Sequence, residues 1–290
     1  MTLFNFPLLF TRESDKLYFD SDWLSDNLIT DDRRPLTAED PMSGHSKWAQ
    51  IKRKKGAADA KRGQLFTKLI REISVAAKQG GGNPEGNIRL RSAITSARAS
   101  NMPLENIERA IKKGTGELPG VVYEEVSYEG YGPGGVAILV ETQTDNKNRT
   151  TSDIRHLFSR FGGNLGGAGS VGWIFHMRGV VIVEKSACDE ETLLSIVLDA
   201  GAEDIQSDNE HFEIYSPPSA VEKIKKALEE KGIPITSAEV TRTPQNTVKT
   251  EGKNAQQVLK LVESLEELDD VQKVYANFDI PENVMVSLVE

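Results

Sequence analysis

The spacing of apolar residues changes near residue 120, and that change limits the fold more than any single motif does. From about residue 57 to 115 apolar side chains recur every three to four positions, and beyond residue 122 alternating stretches enter between further helical ones. The two regimes meet in a short linker, Gly114–Gly120. Such a chain is expected to be α+β: a helical first part, then sheets with helices packed on them. Its 290 residues suit two or three domains.

In residues 57–79, Leu65, Phe66, Leu69, Ile70, Ile73 and Ala77 share one helix face, and Lys61, Lys68, Arg71 and Lys78 share the other. A second helix, 87–100, presents Leu90, Ala93, Ile94 and Ala97. A third opens at Pro103 and closes at Gly114, with Glu105 early and Lys112 and Lys113 late, as the helix dipole favours. This is a three-helix domain over 42–116, headed by a basic arm. Strands are expected at 123–131 and 136–142, a helix at 151–161, and strands at 170–177 and 179–184. From 179 to about 244 the order βαββαβ describes a ferredoxin-like unit. A strand near Thr247, a helix at 254–268 and a strand at 271–277 complete the earlier ββαβ segment. The expected layout is therefore a three-helix domain and two ferredoxin-like α+β domains. One is discontinuous (121–178 plus 245–290), and the other (179–244) is inserted into it.

Residues 1–41 are acidic and lack a regular apolar period. They are expected to be a disordered or loosely attached extension, with Met42 as the natural start. The net charge of −9 conceals a segregation. Residues 42–116 hold 16 Lys/Arg against 5 Asp/Glu, whereas 117–290 hold 15 against 30. A local positive face is what a polyanion meets, whatever the global balance. There is no apolar run of eighteen residues, so no membrane helix is expected. The single Cys188 excludes an internal disulfide framework and fits a reducing compartment, with a cytoplasmic location expected. His45, His156, His176 and His211 show no zinc-ligand spacing, and no metal or cofactor is expected.

The candidate nucleic-acid contacts are Lys47, Trp48, Lys52, Arg53, Lys54, Lys55, Lys61, Arg62, Lys68 and Arg71. Lysines and arginines at phosphates release counterions, so such binding is steeply salt-dependent. Trp48 has two open roles: stacking on an unpaired base, or anchoring the arm on the helices. A second patch, Asn146-Lys147-Asn148-Arg149-Thr150, lies where a strand passes into a helix. There, Lys147 and Arg149 either meet a phosphate at the helix start or flank an ordinary cap at Asn148 or Thr150. The glycine-rich stretch 162–170 leads into a strand and has no following lysine, so it reads as a flexible surface loop and not as a nucleotide loop. Tyr128, Tyr131, Phe158, Trp173 and Phe175 read as core. No catalytic set assembles from these residues. An enzyme using the glycine loop and an adaptor docking on an acidic protein stand as alternative classes.

The strings GHSKWAQIKRKK at 44–55, DAKRGQLFTKLIREI at 59–73, YEGYGPGGVAILVE at 128–141, TDNKNRT at 144–150, IRHLFSRFGGNLG at 154–166 and GSVGWIF at 169–175 resemble the YebC/PmpR family. The resemblance implies a helical head with two α+β domains, no enzymatic activity, and binding to nucleic acid. It implies that binding in two versions: a DNA-binding transcriptional regulator, or a ribosome-associated translation factor on ribosomal RNA.

Overall fold

The computed structural model describes residues 48, 58–208, 210–281 and 284–285, all within one compact unit. The extension at 1–41 lies outside the described residues. The fold is α+β. Three helices come first: α1 (Ala58–Gly80), α2 (Ile88–Ala99) and α3 (Leu104–Thr115). Ile73, Ala76 and Ala77 of α1 pack with Leu90, Ala93, Ile94 and Ala97 of α2 and with Ile107 and Ala110 of α3. Asn87 starts α2, its side chain accepting the Leu90 N–H at 3.0 Å and donating to the Ala76 and Gly81 carbonyls. Gly114 does not close α3. A Cβ there would collide with the Ser74 carbonyl of α1, so this glycine permits the close α1–α3 contact that the Ser74 hydroxyl secures at Ala110 O. Gly116, at φ +82°, is the left-handed terminator.

Strands β1 (Glu124–Tyr131) and β2 (Ala137–Thr144) form a hairpin, followed by α4 (Lys147–Arg160) and the two-residue β3 (Asn164–Leu165). After a 3-10 turn at Gly172–Ile174 come β4 (Phe175–Glu184), α5 (Glu190–Asp199), β5 (Asp204–Ser207), β6 (His211–Ser216), α6 (Val221–Glu230) and β7 (Ile235–Pro244). The chain ends in β8 (Val248–Lys249), α7 (Gly252–Glu266), β9 (Val271–Ala276) and β10 (Phe278–Asp279). One antiparallel sheet has the order β3-β1-β2-β9 and another the order β5-β6-β4-β7, the second being the ferredoxin-like arrangement. β8 and β10 pair in parallel as a separate ribbon.

β2 is apolar because both its faces are covered. Ile138 and Val140 meet α4 and α7, while Ala137 and Leu139 meet Val171, Ile174, Phe175 and Tyr275. The two strands expected at 170–177 and 179–184 are one strand, β4. Gly179 does not break it, because its missing Cβ makes room for Val221 and Ser216. Among the described residues no helix is long and apolar enough to cross a membrane.

Candidate nucleic-acid interface

Lys47, Lys52, Arg53, Lys54 and Lys55 lie outside the described residues, and so do the side chains of Lys61 and Arg62, which belong to α1. Trp48 is 3% exposed and sits in the core formed with Ile154, Phe158, Val258 and Leu261. Of its two roles the structure shows the anchor. A ring enclosed by apolar side chains offers no face to a base.

On the basic face of α1, Lys68 and Arg71 are docked against the protein, contrary to the expectation of an open cationic surface there, while Lys78 is exposed. The Lys68 ammonium donates to Glu266 O at 2.7 Å, and Gln64 donates to Glu267 O. Arg71 donates to Gln143 O at 3.0 Å, to Asp269 O at 2.8 Å and to the Asp270 carboxylate. Apart from Gln143 O of β2, these acceptors cluster at the C-terminus of α7 and the turn into β9. The last carbonyls of a helix lack partners within it and carry the negative end of its dipole. A cationic helix face is thus a structural match for that end, and here it docks the helical domain. Arg89 adds a second clamp, reaching Glu72 of α1 at 2.7 Å and Glu125 of β1 at 2.5 Å.

Arg149 reaches the same carboxylate from the other side. It pairs with Asp270 at 2.8 Å and with Asp145 at 2.7 Å, and its side chain stays half-exposed. Thr150 and Thr144 hydroxyls complete the Asp270 shell at 2.6 and 3.1 Å. α4 begins four residues earlier than its apolar spacing suggests, and its cap is Asn146, not Asn148 or Thr150. The Asn146 side chain accepts the Arg149 N–H at 3.1 Å. Lys147 is exposed in the first turn. The TDNKNRT string therefore builds a clasp around Asp270, while the Lys147 carbonyl accepts the Tyr128 hydroxyl at 3.3 Å.

Burial of Asp270 works to raise its pKa, but the hydrogen bonds from Arg149, Thr150 and Arg71 outweigh it and hold the value at about 2. A depressed carboxylate stabilises the fold fully above its unfolded value near 3.9 and loses that contribution as pH falls through about 2. Urea unfolding of wild type against Asp270→Asn is expected to show an advantage that shrinks by about 1–2 kcal/mol between pH 5 and pH 2. A pH-independent difference would remove Asp270 from the clasp.

A cleft of about 560 Å³ opens beside this clasp, lined by Arg71 and Arg149 together with Asp145, Asp153, Glu267, Asp269 and Asp270. Five carboxylates against two guanidiniums do not make a phosphate track. The structure thus gathers Lys68, Arg71 and Arg149 at one place and engages them there with the protein's own acceptors.

The glycine-rich loop is held, not loose. The Glu129 carboxylate accepts the N–H groups of Gly169, Val171 and Gly172 at 2.7–2.8 Å, and Gly166 N donates to Glu129 O. Burial opposes the Glu129 charge, yet these donors keep its pKa below the usual carboxylate range. Tyr128, Phe158 and Phe175 are buried as expected, but Trp173 is 62% and Tyr131 41% exposed. A period-two reading turns Trp173 inward with Phe175. The 3-10 turn ahead of β4 breaks that alternation, so the sequence carries no local signal for its exposure.

Residues 46–117 match the TACO1/YebC protein N-terminal domain, and residues 123–278 match the TACO1/YebC second and third domain. A "Probable transcriptional regulatory protein" of Dictyoglomus turgidum is 59% identical over 248 residues, 85% of this chain and 100% of that protein. One of Chlorobaculum tepidum is 57% identical over 250 residues, 86% of this chain and 100% of that protein. The crystal structure of a conserved hypothetical protein from Aquifex aeolicus superposes with a TM-score of 0.68 at 54% identity, covering 77% of this chain and 92% of that one.

Proposed function

Because the chain belongs to the TACO1/YebC family, we propose that it is a nucleic-acid-binding regulator of gene expression, acting on DNA as a transcriptional regulator. The observation that carries this reading is the segregation of charge: 16 Lys/Arg against 5 Asp/Glu over residues 42–116, ahead of a strongly acidic remainder. The names of its relatives support the regulatory role. In this reading Lys52, Arg53, Lys54 and Lys55, with Lys47, Lys61, Arg62 and Lys147, meet the phosphates. Lys68, Arg71 and Arg149 hold the domains that present them. No catalytic residue takes part: burial and the neighbouring Asp189 push the Cys188 thiol up, away from a reactive thiolate.

A second reading, a translation factor on ribosomal RNA, is favoured by one feature. The face of α1 that bears Lys68 and Arg71 is docked, so it is not presented to a DNA groove. Crosslinking in cells, followed by sequencing of the attached DNA and RNA from one sample, separates the two. Enrichment of discrete promoter DNA supports the first reading, and enrichment of ribosomal RNA the second. Enrichment of neither overturns both.

A further inference from the structure

We infer that Trp173 and Tyr131 form a stacking site for an unpaired nucleobase of a single-stranded nucleic acid, at the end of α4 opposite the Asp270 clasp. The inference rests on the nucleic-acid reading above and adds a site that the basic run does not supply. Both side chains donate to one acceptor, the Ser170 carbonyl: Tyr131 through its hydroxyl at 3.0 Å and Trp173 through Nε1 at 3.3 Å. Their polar edges are thereby fixed, while 62% and 41% of the two residues stays in water. The carbonyl they share belongs to the loop that Glu129 secures through Gly169, Val171 and Gly172. Large aromatic surface left in solvent is unfavourable, and here several hydrogen bonds act to keep it in one place.

The loop beside the rings is bare. A Cβ at Gly166 would meet the Ser170 hydroxyl at 2.6 Å, Gly169 has a φ of +82°, and a Cβ at Gly172 would press on the Glu129 carboxylate at 3.2 Å. Gly167 has no such reason: a Cβ there meets nothing within 4 Å, and its φ is not in the left-handed region. A glycine that the fold does not need leaves room for close approach of a ligand backbone.

Size decides between a base and a protein partner. Two aromatic side chains bury at most about 300–500 Å² between them. A stable protein interface takes about 800 Å² from each partner. The site fits one or two planar bases, and stacking on them is indifferent to sequence.

The test uses the full chain with three fluorescein-labelled probes of one sequence: a 15-nucleotide RNA, the matching DNA strand, and the DNA duplex. Trp173→Ala is expected to weaken single-strand binding about tenfold or more. Trp173→Phe, which keeps a ring, is expected to stay within about threefold, and duplex binding and the salt slope are expected to be unchanged. A loss confined to RNA or to DNA supports the site and identifies its source. Equal loss on the duplex overturns the inference. So does wild-type affinity for both single strands, and if the Lys52–Lys55 alanine variant still loses binding in that case, the functional reading stands. Failure of the wild-type chain to bind all three probes at low salt overturns both.

Discussion

Replacing Lys52, Arg53, Lys54 and Lys55 together with alanine is expected to lower nucleic-acid affinity by two orders of magnitude or more at about 50 mM salt. Each phosphate contact contributes about −0.9 to the log–log salt slope on duplex DNA and about −0.7 on a single strand. Four lost contacts make the slope shallower by about three to four units. The reason to expect so large an effect from four residues lies in the structure. Lys68, Arg71 and Arg149, the other basic candidates with described contacts, are held by Glu266 O, Asp269 O and Asp270. A Lys68→Ala/Arg71→Ala variant supplies the contrast: it should lose thermal stability more than affinity. Filter binding across a salt series, with a melting curve for each variant, measures both. Unchanged affinity in the fourfold variant would place the interface elsewhere.

Trp48→Ala is expected to destabilise the protein by about 3–5 kcal/mol, the range for a buried large aromatic cut back to a methyl. Trp48 lies four positions before Lys52, and its ring is set among side chains of α4 and α7. The variant should therefore also bind nucleic acid more weakly without losing a charge, because the chain loses its anchor four positions ahead of Lys52. Trp48→Phe should recover most of both properties. Urea denaturation followed by the same binding series reads the two effects, and an alanine variant as stable as wild type refutes the anchor.

Elements with a long, regular apolar period were legible from sequence. The α1 stripe at 65–77 places the helix within a residue or two of Ala58–Gly80, and the alternation in 123–142 gives the β1–β2 hairpin. Glycines were the weak point, because three physical roles share one letter. Gly114 looks like a helix end and is a close-packing site, while Gly179 looks like a strand break and is a recess for Val221. The docking of Lys68, Arg71 and Arg149 was not legible for a different reason. Charge density is visible along a chain, but partners are not: Lys68 meets a carbonyl 198 residues away, and Arg71 a carboxylate 199 away. A cationic helix face that grips phosphate and one that caps another helix have the same sequence pattern. The exposed Trp173 was hidden because one 3-10 turn offsets the alternation on which the inward reading relied.

The pairing of β9 with β2 has a consequence for how the molecule is made. Arg71 and β2 emerge before Asp270 and β9, and Asp270 follows Arg71 by 199 residues. At about 5–20 residues per second, some 10–40 s separate the two halves of the Arg71–Asp270 pair. From the completion of β2 at Thr144 until β9 at Val271 is made, one edge of β2 has no neighbour, and an open edge is a template for pairing with the wrong chain. The inserted ferredoxin-like unit, whose sheet draws only on residues 175–244, can fold within that interval. Once α7 and β9 are made, they close the first sheet and supply the acceptors that seat Lys68 and Arg71 of α1.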